Sequence, residues 1–321
     1  MIDLKVLVTT YHQAFLKKSG GEVELFETAM RLNELGVLAD VYGPKSRPLE
    51  AYDVVLHFSV HGGGLELLQT VKAVGKRIVL WPNLWIQDPT LGTKELIAKH
   101  FALANAIVVK SEAEKEHIVS QFRVAQELFH VVPAGVDPCY GTPADPDMFK
   151  TIYRVDDYIL WLGTIEERKN QLFAIGALRD IEIPIVFVGT YRNKKYYNKC
   201  LEASPRHFKF LPPMIAKSEV LRSAVQACRL FLEVPLEPPG LSALEAGLAG
   251  RPLVLSDSSW SREHFGEYVT YVDPTSKDSI ESGVKGALSK EHSGAALSEK
   301  IRRRHLAPQC LEPLVRILQA R

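Results

Sequence analysis

The chain has 321 residues, 46% hydrophobic and 24% charged, with a formal net charge of +1. That length favours two domains of ordinary size, each large enough to bury a core. Near-neutral charge argues against a nucleic-acid binder that works through a broad basic field, and no apolar run approaches the ~18 residues a membrane span requires.

Met1–Thr10 reads as a first strand rather than a leader, because Asp3 and Lys5 interrupt any apolar signal core. Strands follow at Lys5–Thr9, Ala39–Tyr42, Val54–Phe58, Arg77–Trp81, Ala106–Val109 and His130–Val132. Helical patterns lie between them at Glu22–Leu35, Leu65–Val74, Lys94–Leu103 and Glu112–Phe122. Strands alternating with helices of this length predict βαβ units, and their nearly unbroken apolar runs predict a parallel sheet covered on both faces. The pattern breaks at Asp137–Asp156, where prolines, a glycine and several aspartates predict a linker. It restarts at Tyr158–Leu162, Ile185–Val188, His207–Phe210, Leu230–Val234, Pro252–Leu255 and Val269–Val272, and a short amphipathic helix at Leu311–Gln319 ends the chain. The expectation is an α/β protein of two doubly wound parallel-sheet domains, residues 1–150 and 151–321, with the final helix packing back on the first. Ligands of such sheets bind at the carboxyl ends of the strands, so a cleft between two facing domains is the expected site. Lys and Arg against Asp and Glu number 15 to 18 in the first domain and 24 to 20 in the second, a balance that turns an anionic ligand toward the second. The four cysteines have neither paired nor metal-ligand spacing, and reduced thiols in a cytoplasmic protein are expected.

The most informative stretch is Leu236–Asp257, LEPPGLSALEAGLAGRPLVLSD. Glu237 and Glu245 stand eight residues apart across a turn that contains Gly240 and leads into an apolar helix. The backbone amides of Gly240, Leu241 and Ser242 fall at the helix N-terminus, where unpaired N–H groups and the dipole favour an anion. An anion seat flanked by carboxylates suits a molecule with phosphate in its middle and hydroxyls at both ends, the layout of a sugar nucleotide. Leu241, Leu244 and Leu248 recur at helical spacing and account for the rest of the segment as a packing helix.

Four further segments fall at strand ends. Ser19-Gly20-Gly21-Glu22 follows the first strand and opens a helix, with paired glycines that permit close approach of backbone to ligand. Gly163-Thr164-Ile165-Glu166-Glu167-Arg168-Lys169-Asn170 follows the first strand of the second domain and places Arg168 and Lys169 where cations can hold a diphosphate. Val132-Pro133-Ala134-Gly135-Val136-Asp137 ends the last strand of the first domain, and Ser256-Asp257 ends a strand after Glu245. In this order the segments resemble glycosyltransferase family 4, the retaining GT-B glycosyltransferases, over nearly the whole chain.

That resemblance implies two Rossmann-like domains and a donor site for a nucleoside-diphosphate sugar in the second. It implies ribose contact by Glu245 and sugar contact by Glu237. Lys169 and the amides of Gly240, Leu241 and Ser242 would hold the diphosphate and stabilise the leaving group by preorganised electrostatics. Gly20 and Gly21 would close over the phosphates, and no metal would be required. The sequence departs from the family pattern in three places. Thr164 stands where many members carry arginine, with Arg168 as the replacement cation; Asn83 is nearest to a common histidine; Pro238-Pro239 replaces glycine and phenylalanine. His57, His61 and Asn83 are the candidate acceptor residues of the first domain, the acceptor being a glycan, a lipid-linked saccharide or another molecule, not a nucleic acid. His61-Gly62-Gly63-Gly64 also looks like a lipase oxyanion loop, but the chain has no G-x-S-x-G nucleophile elbow. Trp81, Trp85 and Trp260 offer faces for sugar stacking. Lys17-Lys18 and Arg302-Arg303-Arg304-His305 offer cations for peripheral contact with an inner membrane face. The competing readings are a GT-B phosphorylase or epimerase, and a non-catalytic sugar-nucleotide-binding relative or partner subunit.

Overall fold

A computed structural model describes residues 3–16, 20–86, 89–290 and 294–320. The chain forms two compact units, one of residues 1–135 with 307–321 and the other of residues 136–306.

The sheet of the first unit contains β1 (Lys5–Thr9), β2 (Leu38–Val41), β3 (Val54–Phe58), β4 (Arg77–Trp81), β5 (Ala106–Val109) and β6 (Phe129–Val131) in the order β2-β1-β3-β4-β5-β6. All pairs are parallel, with Val6 beside Val54 and Val54 beside Arg77. The second sheet contains β7 (Ile159–Leu162), β8 (Ile185–Val188), β9 (Lys209–Leu211), β10 (Leu230–Glu233), β11 (Leu253–Ser256) and β12 (Thr270–Val272), again all parallel, in the order β12-β11-β10-β7-β8-β9. The strand order reverses direction between β1 and β3 in the first sheet and between β7 and β10 in the second. Those reversals are the places where doubly wound sheets leave a crevice for ligands.

Each expected strand is present within two residues of its expected ends. The central strands β3, β5, β7, β8, β10 and β11 are buried at every position, which is why they read as continuous apolar runs. The first unit has a core on each face of its sheet; Val6, Val8, Leu56, Val79 and Trp81 line one and Leu7, Val55, Ile78, Leu80 and Ile107 the other. The final helix, Glu312–Gln319, adds Leu314, Val315 and Leu318 to the first of these cores, and Arg77 Nη1 donates to the Ile317 carbonyl at 2.7 Å.

The division of the chain falls at residue 135, not at 150. The proline- and glycine-rich stretch expected to be a linker is built into the second unit. Phe149, on the short helix Met148–Tyr153, is fully buried against Tyr153 and Tyr158. Arg222 gathers the carbonyls of Cys139, Thr142 and Pro143, and Gln226 takes that of Tyr140. Polar residues and prolines here mark an irregular backbone whose carbonyls are satisfied by two long side chains, rather than a free connection. All four cysteines are free thiols.

Candidate functional site

The reversal between β7 and β10 assembles the charged centre of the second unit. β10 reads Leu-Phe-Leu-Glu, and its last side chain, Glu233, stays in the interior with 1% of its surface exposed. The loop after β10 returns to open the helix Leu241–Leu248 beside it. Glu233 Oε1 accepts the Gly240 N–H at 3.0 Å and Oε2 accepts the Ser242 hydroxyl at 3.0 Å, so this carboxylate caps the helix from a neighbouring strand. Burial pushes the Glu233 carboxyl above its ordinary range, against the pull of Lys169 and these two donors.

The loop after β7 supplies the cations. Gly163 turns with φ +140°, and the close approach of Gly189, at the end of β8, leaves no room for a Cβ beside the Gly163 carbonyl. Ile165 bridges to Tyr191, and Asn170, at φ +66°, donates to the carbonyls of Val234 at 3.1 Å and Pro274 at 2.8 Å. The Leu236 amide donates to the Arg168 carbonyl at 2.9 Å, which pins the two loops together. Lys169 Nζ consequently lies 3.0 Å from Glu237 Oε1 and 3.8 Å from Glu233 Oε1. Arg168 reaches Glu237 Oε2 at 3.0 Å and Glu166 Oε1 at 3.2 Å, with its side chain more than half exposed. Ser256, at the end of β11, donates to the Pro235 carbonyl at 2.6 Å and so holds the Glu237 loop. Asp257 forms a two-pronged exposed pair with Arg262 instead of turning to this centre.

Glu245 lies farther along the same helix, half-buried and hydrogen-bonded to Tyr140. Desolvation, helped by the nearby charges of Asp137 and Glu233, pushes its carboxyl up to about 7. Asp137 does the opposite: burial raises it, but hydrogen bonds from Cys139 and Lys217 outweigh burial and hold it down at about 2. Lys217 Nζ is 3.1 Å from Asp137 Oδ2. Glu245 is thus a carboxyl poised between its two forms at neutral pH, next to a fixed ion pair.

The predicted residues divide into those brought together and those left apart. Arg168, Lys169, Glu237, Gly240, Leu241 and Ser242 converge, and Glu245 stands on the same helix. Thr164 contributes its backbone, its carbonyl accepting from Gln171 Nε2 at 3.0 Å. The Gly240 amide, expected to face a phosphate, is taken by Glu233; among the described residues, the amides of Leu241 and Ser242 begin the helix without an acceptor in the preceding turn. Glu233 was not foreseen. Its one signal was a lone carboxylate ending an apolar strand. Tyr140 and Lys217 were also missed, because they come from the presumed linker and from the loop after β9.

In the first unit, Gly20 and Gly21 open the helix Gly20–Glu34, and a Cβ on either would meet no atom within 4 Å among the described residues, so their packing does not require glycine there. Residue 19 of that motif, and Lys17 and Lys18, lie outside the described residues. His57, read as an acceptor residue, is fully enclosed at the β1/β3 reversal, where its Nδ1 meets Thr9 Oγ1 at 2.8 Å and Gly64 packs on its Nε2 edge. Desolvation, with a smaller effect of His100, lowers it to about 3. A neutral enclosed imidazole is a core residue, and an acceptor has no face of it to touch. His61 is exposed and meets the Tyr11 ring edge-on at 5.9 Å. Asn83 has φ +53° and donates to Glu24 Oε2 at 2.8 Å, where Lys110 Nζ also binds at 3.3 Å. Trp81 is buried in the core, as is Trp260 against His264. Of the basic run near the end of the chain, Arg303 pairs with Glu299, Arg304 pairs with Glu263, and His305 is buried beside His264. Among the described residues no helix is long and apolar enough to cross a membrane, and no group of three or more His, Cys, Asp or Glu is placed to hold a metal ion.

Two doubly wound parallel sheets, with basic loops and a helix N-terminus at a strand-order reversal of the second, are the elements of the GT-B fold. Solved structures agree on the fold. Anabaena Alr3699/HepE, in complex with UDP and glucose, superposes with a TM-score of 0.80 at 14% identity, over 99% of this chain and 100% of that one. Sucrose-phosphate synthase from Thermosynechococcus elongatus gives 0.80 at 12% identity over 98% of both chains. A UDP-forming α,α-trehalose-phosphate synthase from Burkholderia xenovorans, in complex with glucose-6-phosphate, gives 0.70 at 12% identity over 98% of this chain and 100% of that one. Residues 148–304 match the family model of glycosyl transferases group 1. That match lies within the second unit and covers just under half of the chain. No curated protein sequence matches the chain.

Proposed function

We propose that the protein is a retaining, metal-independent glycosyltransferase of the family 4 type, which binds a nucleoside-diphosphate sugar on its second unit. The observation that carries the reading is Lys169, held 3.0 Å from Glu237 beside the N-terminus of the helix Leu241–Leu248. Lys169, Arg168 and the amides of Leu241 and Ser242 receive the diphosphate; Glu237 accepts hydrogen bonds from the transferred sugar; Glu245 accepts them from the ribose. In transfer, the bond between the anomeric carbon and the diphosphate oxygen breaks, and the electron pair leaves with the diphosphate. Cations and helix amides already aimed at that oxygen stabilise its growing charge. The acceptor hydroxyl oxygen joins the anomeric carbon on the same face and passes its proton to the departing phosphate. Glycans and lipid-linked saccharides are the acceptor classes of this reading; cytoplasmic contact with the inner membrane face goes with the second.

HepE was solved with UDP, which makes UDP the first nucleotide to try. The test is a thermal-shift screen of UDP, GDP, ADP and CMP with their sugar conjugates, run with and without chelator. A ligand at ~100 times its dissociation constant stabilises the fold by about 2.7 kcal/mol. One nucleoside-diphosphate class should raise the melting temperature, insensitively to chelator, and the rise should vanish in Glu245→Ala. No shift with any nucleotide would refute the donor site.

A further inference from the structure

Glu233 is a third carboxylate in the centre, beyond the two that the family pattern explains. It occupies the position an incoming phosphate group would seek. Its Oε1 holds the Gly240 amide at 3.0 Å and lies 3.8 Å from Lys169 Nζ, and its Oε2 holds the Ser242 hydroxyl at 3.0 Å. We propose that Glu233 is a resident anion of the phosphate seat, and that a nucleoside diphosphate enters by converting it to the neutral acid with uptake of one proton from solvent. The inference rests on the donor site proposed above.

Retreat of the side chain does not offer another route. Glu233 ends a strand flanked by β7 and β11, and its side chain has 2% of its surface exposed. Leaving the carboxylate charged would set it against a diphosphate across a single lysine, in surroundings too dry to screen the repulsion. The charges facing Glu233 sharpen the point. Lys169 is its cation, but Lys169 is also bound to Glu237, whose other oxygen holds Arg168. Glu245 adds negative charge from the same helix. Diphosphate binding draws Lys169 toward phosphate and weakens the largest of the attractions that keep Glu233 ionised. As the acid, Glu233 retains a carbonyl oxygen for the Gly240 N–H and gains an O–H that donates to a phosphate oxygen. The proton comes from solvent and no other bond changes.

The test is isothermal calorimetry of UDP, and of GDP and ADP in turn, at pH 7.5 in buffers of different ionisation enthalpy, on the wild type and on Glu233→Gln. Glu245 and the terminal phosphate of the nucleotide titrate in both proteins and largely cancel, and a Glu245→Gln background, in which Glu245 cannot respond to Glu233, assigns the remaining difference in proton count to Glu233. The wild type should take up about one proton more than the variant. The variant should bind UDP about tenfold more tightly at pH 8, and the advantage should shrink as the pH falls and the wild-type carboxyl takes up its own proton. If Glu233→Gln does not fold, uridine replaces the variant as reference: the wild type should take up about one proton more with UDP than with uridine. UDP binding with equal proton counts, or weaker binding by Glu233→Gln at pH 8, would overturn the proposal while leaving the donor site intact. Absence of binding by any diphosphate would remove the donor site and this inference together.

Discussion

Removal of the Lys169 charge gives the sharpest test of the electrostatic argument. In Lys169→Ala, Glu237 keeps Arg168 at 3.0 Å, but Glu233 is left with two neutral donors and no cation. Leaving one member of a buried ion pair uncompensated costs about 3–5 kcal/mol. Lys169 is 16% exposed and 3.8 Å from Glu233, which places the loss near the lower end, about 3 kcal/mol. For a unit of this size that lowers the melting temperature by about 6–12 °C. The pH dependence follows from the raised carboxyl of Glu233. Its ionisation is disfavoured only in the folded state, so the penalty is full above the folded value and absent below about 4.5, where both states are protonated. Thermal melts of both proteins at pH 7.5 and 4.5 measure this directly. A gap that is wide at pH 7.5 and closes by pH 4.5 is expected, and Glu233→Gln in the same chain should recover most of it. A gap under 2 °C at pH 7.5, or one of equal size at both pH values, refutes the argument. The same variant should lose turnover by a larger factor than nucleotide affinity, since the charge acts most on the departing diphosphate.

Glu245, raised to about 7 by burial, penalises the fold when ionised. Glu245→Gln should therefore be more stable than wild type at pH 8, by about 3 kcal/mol at most, with the gain fading toward pH 4.5; urea denaturation across that range reads it. Gly189→Ala drives a Cβ into the Gly163 carbonyl, which belongs to rigid backbone. It should cost about 3 kcal/mol in urea denaturation and abolish the nucleotide-induced thermal shift, whereas Gly20→Ala, with open space around it, should melt like wild type.

Much of this architecture was written in local pattern. The strands announced themselves because both faces of each sheet are covered, so runs such as Ile185–Val188 carry no polar residue. The Arg168-Lys169 pair and the Glu237–Glu245 segment were legible because each motif lies within one loop and the helix beside it. Where the chain divides was not legible. Phe149 and Arg222 draw residues 136–156 into the second core, and composition cannot distinguish a loop held by long-range hydrogen bonds from one that is free.

The chemistry of individual side chains was decided still later. His57 and His61 are four residues apart with the same functional group, yet one is sealed under Gly64 and the other exposed. Glu233 and Glu237 are equally close in sequence, yet one is buried as a helix cap and the other holds two cations. Sequence alone determined the strands, their alternation with helices and the short motifs at their ends, because those depend on periodicity and on neighbours a few residues apart. Only the tertiary structure decided which carboxylate is dry, which amide is already engaged and which cation is shared, because desolvation and Coulomb energy depend on distances between segments remote in the chain.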